Sequence, residues 1–131
     1  MDRMQHIALR TNRFEASIAF YAEVLGLSDI RVNLETGHLW VNLAEGFVLR
    51  FDHVDEAPDP SALVYLGLEL ENFAAVDERF SRVSLHTSIE RDLREEYRHK
   101  QGPYGFIVRD PNGYRIKVFK YNVPESSKLA T

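Results

Sequence analysis

One pattern of elements is written twice along the chain, and that duplication restricts the fold more tightly than composition does. Gln5-His6-Ile7-Ala8-Leu9-Arg10 reads as a strand leading into a helical pattern from Asn12 to Leu25, and Gly46 opens a closing strand, Phe47-Val48-Leu49-Arg50-Phe51. In the second half, Val64-Tyr65-Leu66-Gly67-Leu68 leads into Asn72 to Val83, and Gly113 opens Tyr114-Arg115-Ile116-Lys117-Val118. His6 and Tyr65 lie 59 residues apart, as do Phe14 and Phe73, whereas Gly46/Gly113 and Arg50/Lys117 are each 67 apart. Two offsets mean one insertion between the halves. A repeat of this length is too long for a solenoid and fits a duplicated βαβββ module.

The periodicities assign faces. Asn12-Arg13-Phe14-Glu15 has a capping side chain three residues before a carboxylate, so a capping box is expected to start the first helix. Phe14, Ile18, Tyr21 and Leu25 recur at helical spacing, and Gly26 is the expected left-handed stop. In the strands that follow, Ile30, Val32 and Leu34, then Leu39, Val41 and Leu43, then Phe47, Leu49 and Phe51 alternate with more polar residues. The apolar set is expected to face a helix. The other set, His6, Ala8, Arg10, Arg31, Asn33, Trp40, Asn42, Arg50 and Asp52, then faces a second environment. Val54–Ser61, with two prolines and no period, reads as the connection between modules. Phe73, Val76, Phe80 and Val83 form the second helix stripe behind Asn72 as cap, and Asp110-Pro111-Asn112-Gly113 is a tight turn between strands.

Composition narrows the function classes. With 131 residues, 44% hydrophobic content and eight Phe, the chain can bury a sizeable core as one domain over about 1–122. Its parts are expected to be module one over about 4–53, a linker over 54–62, module two over about 63–120, and a polar, loosely ordered tail over 123–131. No Cys is present, which excludes thiol nucleophiles, disulfides and cysteine metal sites and makes a cytoplasmic location the expectation. No long apolar run suggests a membrane span, and a formal charge of −4 argues against nucleic acid as the main partner. The mixed-sign run Glu90–Lys100 is expected to be a solvated strand and loop.

His6-Ile7-Ala8-Leu9-Arg10, Ser17-Ile18-Ala19-Phe20-Tyr21 with Leu25-Gly26-Leu27, and Val108-Arg109-Asp110-Pro111-Asn112-Gly113-Tyr114-Arg115-Ile116 together resemble the vicinal oxygen chelate superfamily, the glyoxalase I, bleomycin-resistance and extradiol dioxygenase group. The resemblance runs from Met4 to Lys120. It implies an α+β fold in which two βαβββ modules curl an eight-stranded mixed sheet into a cup, with helices outside. It also implies a homodimer, testable by sedimentation. Metalloenzymes of the family hold a divalent metal through His or Glu on the first and last strands of each module. Carried over by position, those sites hold His6, Arg50, Tyr65 and Lys117.

Only one inherited ligand remains, so the resemblance implies a small-molecule site without a metal cofactor. Two of the replacements are cations, which offer no lone pair and repel a metal. The expected ligand-binding set is His6, Trp40, Arg50, Tyr65, Tyr104 and Lys117, around one cavity, with an anionic or carbonyl-bearing ligand. Tyr104, read as a loop residue, is expected either to stack on a flat ligand or to cover the cup mouth. A displaced site for a divalent transition metal can be drawn from His6, Asp52 and Glu69. Against it, Asp52 can pair with Arg10 or Arg50, and Glu69 with Lys117 or Arg115. Two functions stay open: a metal-free binding protein, or an enzyme. The enzyme would be a metal-dependent lyase, isomerase or dioxygenase using the displaced site, or a metal-independent acid-base catalyst using His6 and Tyr65.

Overall fold

The computed structural model describes residues 1–124, so most of the tail expected over 123–131 lies outside the described residues. The chain divides into two compact units, Met1–Pro60 and a second beginning at Ser61. The first unit contains strands β1 (His6–Thr11), β2 (Ile30–Asn33), β3 (His38–Asn42) and β4 (Val48–His53) in the sheet order β1-β4-β3-β2. The second contains β5 (Leu66–Glu69), β6 (Arg91–Asp92), β7 (Gly102–Arg109) and β8 (Arg115–Asn122) in the order β5-β8-β7-β6. In both, the first strand lies parallel to the last and the other pairs are antiparallel. The expected α+β architecture is therefore present as two four-stranded mixed sheets of one topology.

Burial follows the alternation. In the first unit Leu39, Val41 and Phe51 are fully buried and Leu49 nearly so. Tyr21 and Leu25 are buried as well, and the Tyr21 ring lies 5.0 Å from that of Phe51. Each such side chain contributes about 1.5–3 kcal/mol of burial energy. Helix α1 (Phe14–Ala19) passes directly into a π-helical segment, Phe20–Val24, whose wider turn shows in the five-residue bond from Leu25 N to Phe20 O at 2.9 Å. Gly26 ends it at φ 71°, and Leu27 N donates to Tyr21 O at 3.0 Å, as the glycine stop predicts.

Two expectations in this unit are corrected. The capping box at Asn12 does not form: Arg13 is the N-cap and makes no side-chain cap bond. Thr11, buried at the end of β1, holds the entry instead, because its Oγ1 accepts from Arg13 N at 3.0 Å and lies 3.1 Å from Ser17 Oγ. Val32 and Leu34, expected against the helix, are 40% and 76% exposed. β2 is the outer strand of its sheet, and Leu34 falls beyond it in a turn.

In the second unit α2 (Phe73–Ser84) begins as expected, with Asn72 Oδ1 accepting from Ala75 N at 2.8 Å. Val76 and Val83 are buried, Phe73 stacks on Tyr104 at 4.0 Å between centroids, and Phe80 meets Phe106 edge-on at 5.3 Å. The turn after β7 closes through Gly113 N to Asp110 O at 3.0 Å, with Gly113 at φ 89°. Asp110 Oδ1 also accepts from Asn112 N at 2.8 Å and Tyr114 N at 3.0 Å.

The charged run Glu90–Lys100 is less solvated than expected. Leu93 within it is buried, and the Arg94 guanidinium lies 3.7 Å from the Phe80 ring centroid while Nη1 donates to Asp77 Oδ1 at 3.0 Å. Arg94 thereby pins the run to α2. Among the described residues no helix is long and apolar enough to cross a membrane.

The two caps can be told apart by mutation. Asn72→Ala is expected to lower stability by about 1 kcal/mol in urea unfolding, and Asn12→Ala by less than half of that.

Candidate functional site

The sheet register of the first unit sorts the uncovered face into rows. Ala8, Arg50, Trp40 and Arg31 stand side by side across β1, β4, β3 and β2, and the next row is Arg10, Asp52, His38 and Asn33. Gln5, His6, Trp40, Val48 and Arg50 line a shallow cavity of about 190 Å³. His6, Trp40 and Arg50 are thus brought together as the alternation requires. His6 is exposed, and its Nδ1 lies 2.6 Å from Gln5 Oε1. An amide oxygen only accepts, so the proton sits on Nδ1 and Nε2 carries the lone pair of the neutral ring.

Arg50 is engaged on this face. Its Nε donates to Asp52 Oδ1 at 2.7 Å and its Nη2 to Oδ2 at 3.1 Å, a bidentate fork. His38 Nε2 completes the cluster, 3.7 Å from Asp52 Oδ1 and 3.5 Å from Arg50 Nη2. The hydrogen bond from Arg50 holds the Asp52 carboxyl below its ordinary range against the opposing effect of burial, and raises the guanidinium in return. Of the two bases considered as partners of Asp52, Arg50 is the one that forms this fork.

The uncovered face of the second unit is organised around β8. Lys117 stands in a row with Gly67 and Ile107, and its Nζ lies 3.8 Å from the centroid of the Tyr65 ring. Tyr65, just before β5, is 40% exposed. Val64, Tyr65, Glu90, Arg91, Ile107, Arg115 and Lys117 line a cavity of about 350 Å³. Glu90 is clasped from two strands: Arg115 Nε donates to Oε2 at 3.0 Å, and Arg109 Nε to Oε1 at 3.0 Å. Those bonds, Arg115 first, hold the Glu90 carboxyl below the usual carboxylate range. Lys117 has no ion-pair partner among the described residues.

Three expected placements change. Tyr104 is not on a loop at a cavity mouth. It is a strand residue of β7, buried under α2 against Phe73, and its hydroxyl donates to Asp77 Oδ1 at 2.6 Å. Burial, then this bond, raises the phenol above its ordinary value. Glu69 pairs with neither Lys117 nor Arg115; its Oε2 accepts from Tyr121 N at 3.2 Å and lies 3.8 Å from Lys120 Nζ. The displaced set of His6, Asp52 and Glu69 also loses its geometry, because Asp52 stands four residues along β4 from Val48, the register partner of His6. That is roughly 13 Å of strand.

The donor chemistry does not fit a divalent transition metal at the inherited positions. His6 offers one lone pair, Arg50 offers none, and Lys117 is a cation stacked on Tyr65. Among the described residues no group of three or more His, Asp or Glu side chains is placed to hold a metal ion. The cavity residues Gln5, Glu90, Arg91 and Arg115 were not singled out from sequence as site residues. Arg115 carried a usable signal, since it lies two residues before Lys117 on the same strand face.

The sequence profile of the Glyoxalase/Bleomycin resistance protein/Dioxygenase superfamily matches residues 3–118, and the chain belongs to that superfamily. Among solved structures, it is similar to a lactoylglutathione lyase from Agrobacterium tumefaciens, at 21% identity and TM-score 0.70 over 92% of this chain and 94% of the other. A glyoxalase/dioxygenase from Nostoc punctiforme is 19% identical at TM-score 0.71, over 92% and 91%. The fosfomycin resistance protein FosX from Listeria monocytogenes is 12% identical at TM-score 0.71, over 99% and 98%. At these identities the likeness is one of fold. A sequence search among curated proteins found no match.

The depressed carboxylates set an acid limit. A lowered native pKa contributes stability that is present above the unfolded value, about 3.9–4.3, and is lost as pH falls through the native value. Urea midpoints are therefore expected to drop between pH 5 and pH 3, and to drop less in Asp52→Asn and Glu90→Gln, which have no carboxylate to protonate at these positions.

Proposed function

We propose that the protein binds a small anionic or carbonyl-bearing organic molecule on the uncovered sheet faces and does so without a metal. The observation that carries this reading is Lys117: a cation on the open face, held over the Tyr65 ring, with no carboxylate partner among the described residues. A cation so placed is completed by an anionic oxygen or a polarised carbonyl. Arg50 supports the reading less directly. Its charge is already answered by Asp52, so in the first unit the ligand-facing groups are the Trp40 ring and the His6 imidazole beside it.

One observation favours a catalytic reading of the first unit's open face. The Gln5 bond orients His6 with the Nε2 lone pair available, which is the state a general base needs; in the second unit's own cavity Tyr65, under Lys117, is a candidate proton donor. On that reading the protein is a metal-independent acid-base enzyme of the superfamily, and His6→Gln abolishes turnover while leaving ligand affinity within threefold.

Two measurements test the proposal. Protein purified with no added metal is expected to hold well under one equivalent of any transition metal by mass spectrometry. Benzoate, used as a carboxylate probe, is expected to bind saturably and to weaken about tenfold, or ~1.4 kcal/mol, in Lys117→Met. Stoichiometric metal lost in His6→Ala, or benzoate affinity unchanged in Lys117→Met, overturns it.

A further inference from the structure

We propose that the open face of the second unit receives a doubly charged phosphoryl group, with Arg91, Arg115 and Lys117 as its donors and Glu90 as the fixed counter-charge. This rests on the anion-binding reading above and narrows it to a substrate class. The cavity lining carries three cations and one carboxylate, in a chain whose formal net charge is −4. Cations gathered against the sign of the whole molecule focus its field on that one face.

Glu90 leaves much of this charge unanswered. Arg109, from β7, donates to Oε1 through Nε at 3.0 Å and has Nη2 2.9 Å from the same oxygen, so the one acid of the cavity is shared with a cation outside the lining. Arg115 meets Glu90 through Nε, at 3.0 Å from Oε2 and 3.2 Å from Oε1. Arg91 is held loosely, with Nη2 3.8 Å from Glu96 Oε2 and a 66% exposed side chain. Lys117 rests on an aromatic ring at a partly exposed site, an attraction far weaker than a direct pair with a dianion.

The geometry separates the anions. A carboxylate offers two coplanar oxygens and is matched by one guanidinium fork, as Asp52 is by Arg50 on the first unit. Three cationic heads carried by β6 and β8 line this one cavity, with Arg91 and Lys117 on either side of Ile107, and a phosphoryl group with three terminal oxygens has an acceptor for each of them where a carboxylate has two. Val64, Ile107 and the Tyr65 ring give the same cavity an apolar side. The phosphoryl group is therefore the head of a small organic molecule, with its carbon portion against that side.

The test is a ¹H–¹⁵N NMR titration of the full chain at pH 7.5 and low salt with phenyl phosphate and with benzoate, which share a ring and differ in the head group. Near this pH the phosphoryl group carries close to two charges. Saturable shifts are expected at the amides of Arg91, Ile107 and Lys117, with phenyl phosphate binding at least tenfold more tightly than benzoate. Arg115→Gln is expected to weaken phenyl phosphate at least tenfold and benzoate less than threefold. If the spectrum of that variant shows loss of fold, the exposed Arg91→Gln takes its place, with a loss of at least threefold expected. Benzoate binding as tightly as phenyl phosphate at the same amides overturns the phosphoryl inference and leaves the anion reading standing. No saturable shift with either probe, or shifts confined to other residues, overturns both.

Discussion

Each sheet has one face claimed by its helix, and the two-residue period of the strands fixes everything else about the candidate site. Once Leu39, Val41, Leu49 and Phe51 are buried, Trp40 and Arg50 have no place but the opposite face, and the register aligns them with Ala8 and Arg31. The second unit obeys the same rule. Burying Phe106, Val108, Ile116 and Val118 turns Ile107, Arg115 and Lys117 outward. A slip of one residue in either sheet would exchange core for site, so packing energy and site geometry cannot be varied independently.

The two units use the same face for different electrostatics. In the first, Arg50 and Asp52 lie two residues apart on β4 and close on each other, with His38 beside them. That cluster fixes the Arg50 head and answers its charge within the strand. In the second, Glu90 ties together Arg109 and Arg115 while Lys117 and Arg91 stay outside the clasp. Glu90 thus acts as a spacer that holds two guanidiniums at fixed positions as well as a counter-charge. Such surface pairs contribute little to stability, about 0–1 kcal/mol each, so their main effect is on position.

The duplicated module, the second helix with its Asn72 cap, the Gly26 stop and the Asp110–Gly113 turn were all legible, because each is a local signal of spacing or backbone conformation. So was the parity that puts His6, Trp40, Arg50 and Lys117 on uncovered faces. What failed involved choices between neighbours. Asn12 and Thr11 were both able to hold the first helix, and burial decided for Thr11. The pairing of Glu69 with Lys120 depends on where flexible side chains come to rest, which no periodicity encodes. Tyr104 was a different kind of miss: it is in phase with Phe106 and Val108 on β7, and that parity buries it. The Glu90 clasp joins residues 19 and 25 positions apart in sequence, beyond the reach of local pattern.

The parallel closure of each module also orders events in time. His6 pairs in register with Val48, 42 residues onward, and Gly67 with Lys117, 50 residues onward, whereas β2, β3 and β4 follow one another through short turns. Closing the long loop costs more chain entropy, so the hairpin strands are expected to assemble before the leading strand docks beside them. His6 rides on that leading strand, and Tyr65 stands at the threshold of its counterpart. On that order each open face is completed by its leading strand, which lies at the outer edge of the sheet beside β4 or β8. A ligand held between the leading strand and its neighbour acts as a latch on module closure, and slowed amide exchange along His6–Thr11 would be its signature.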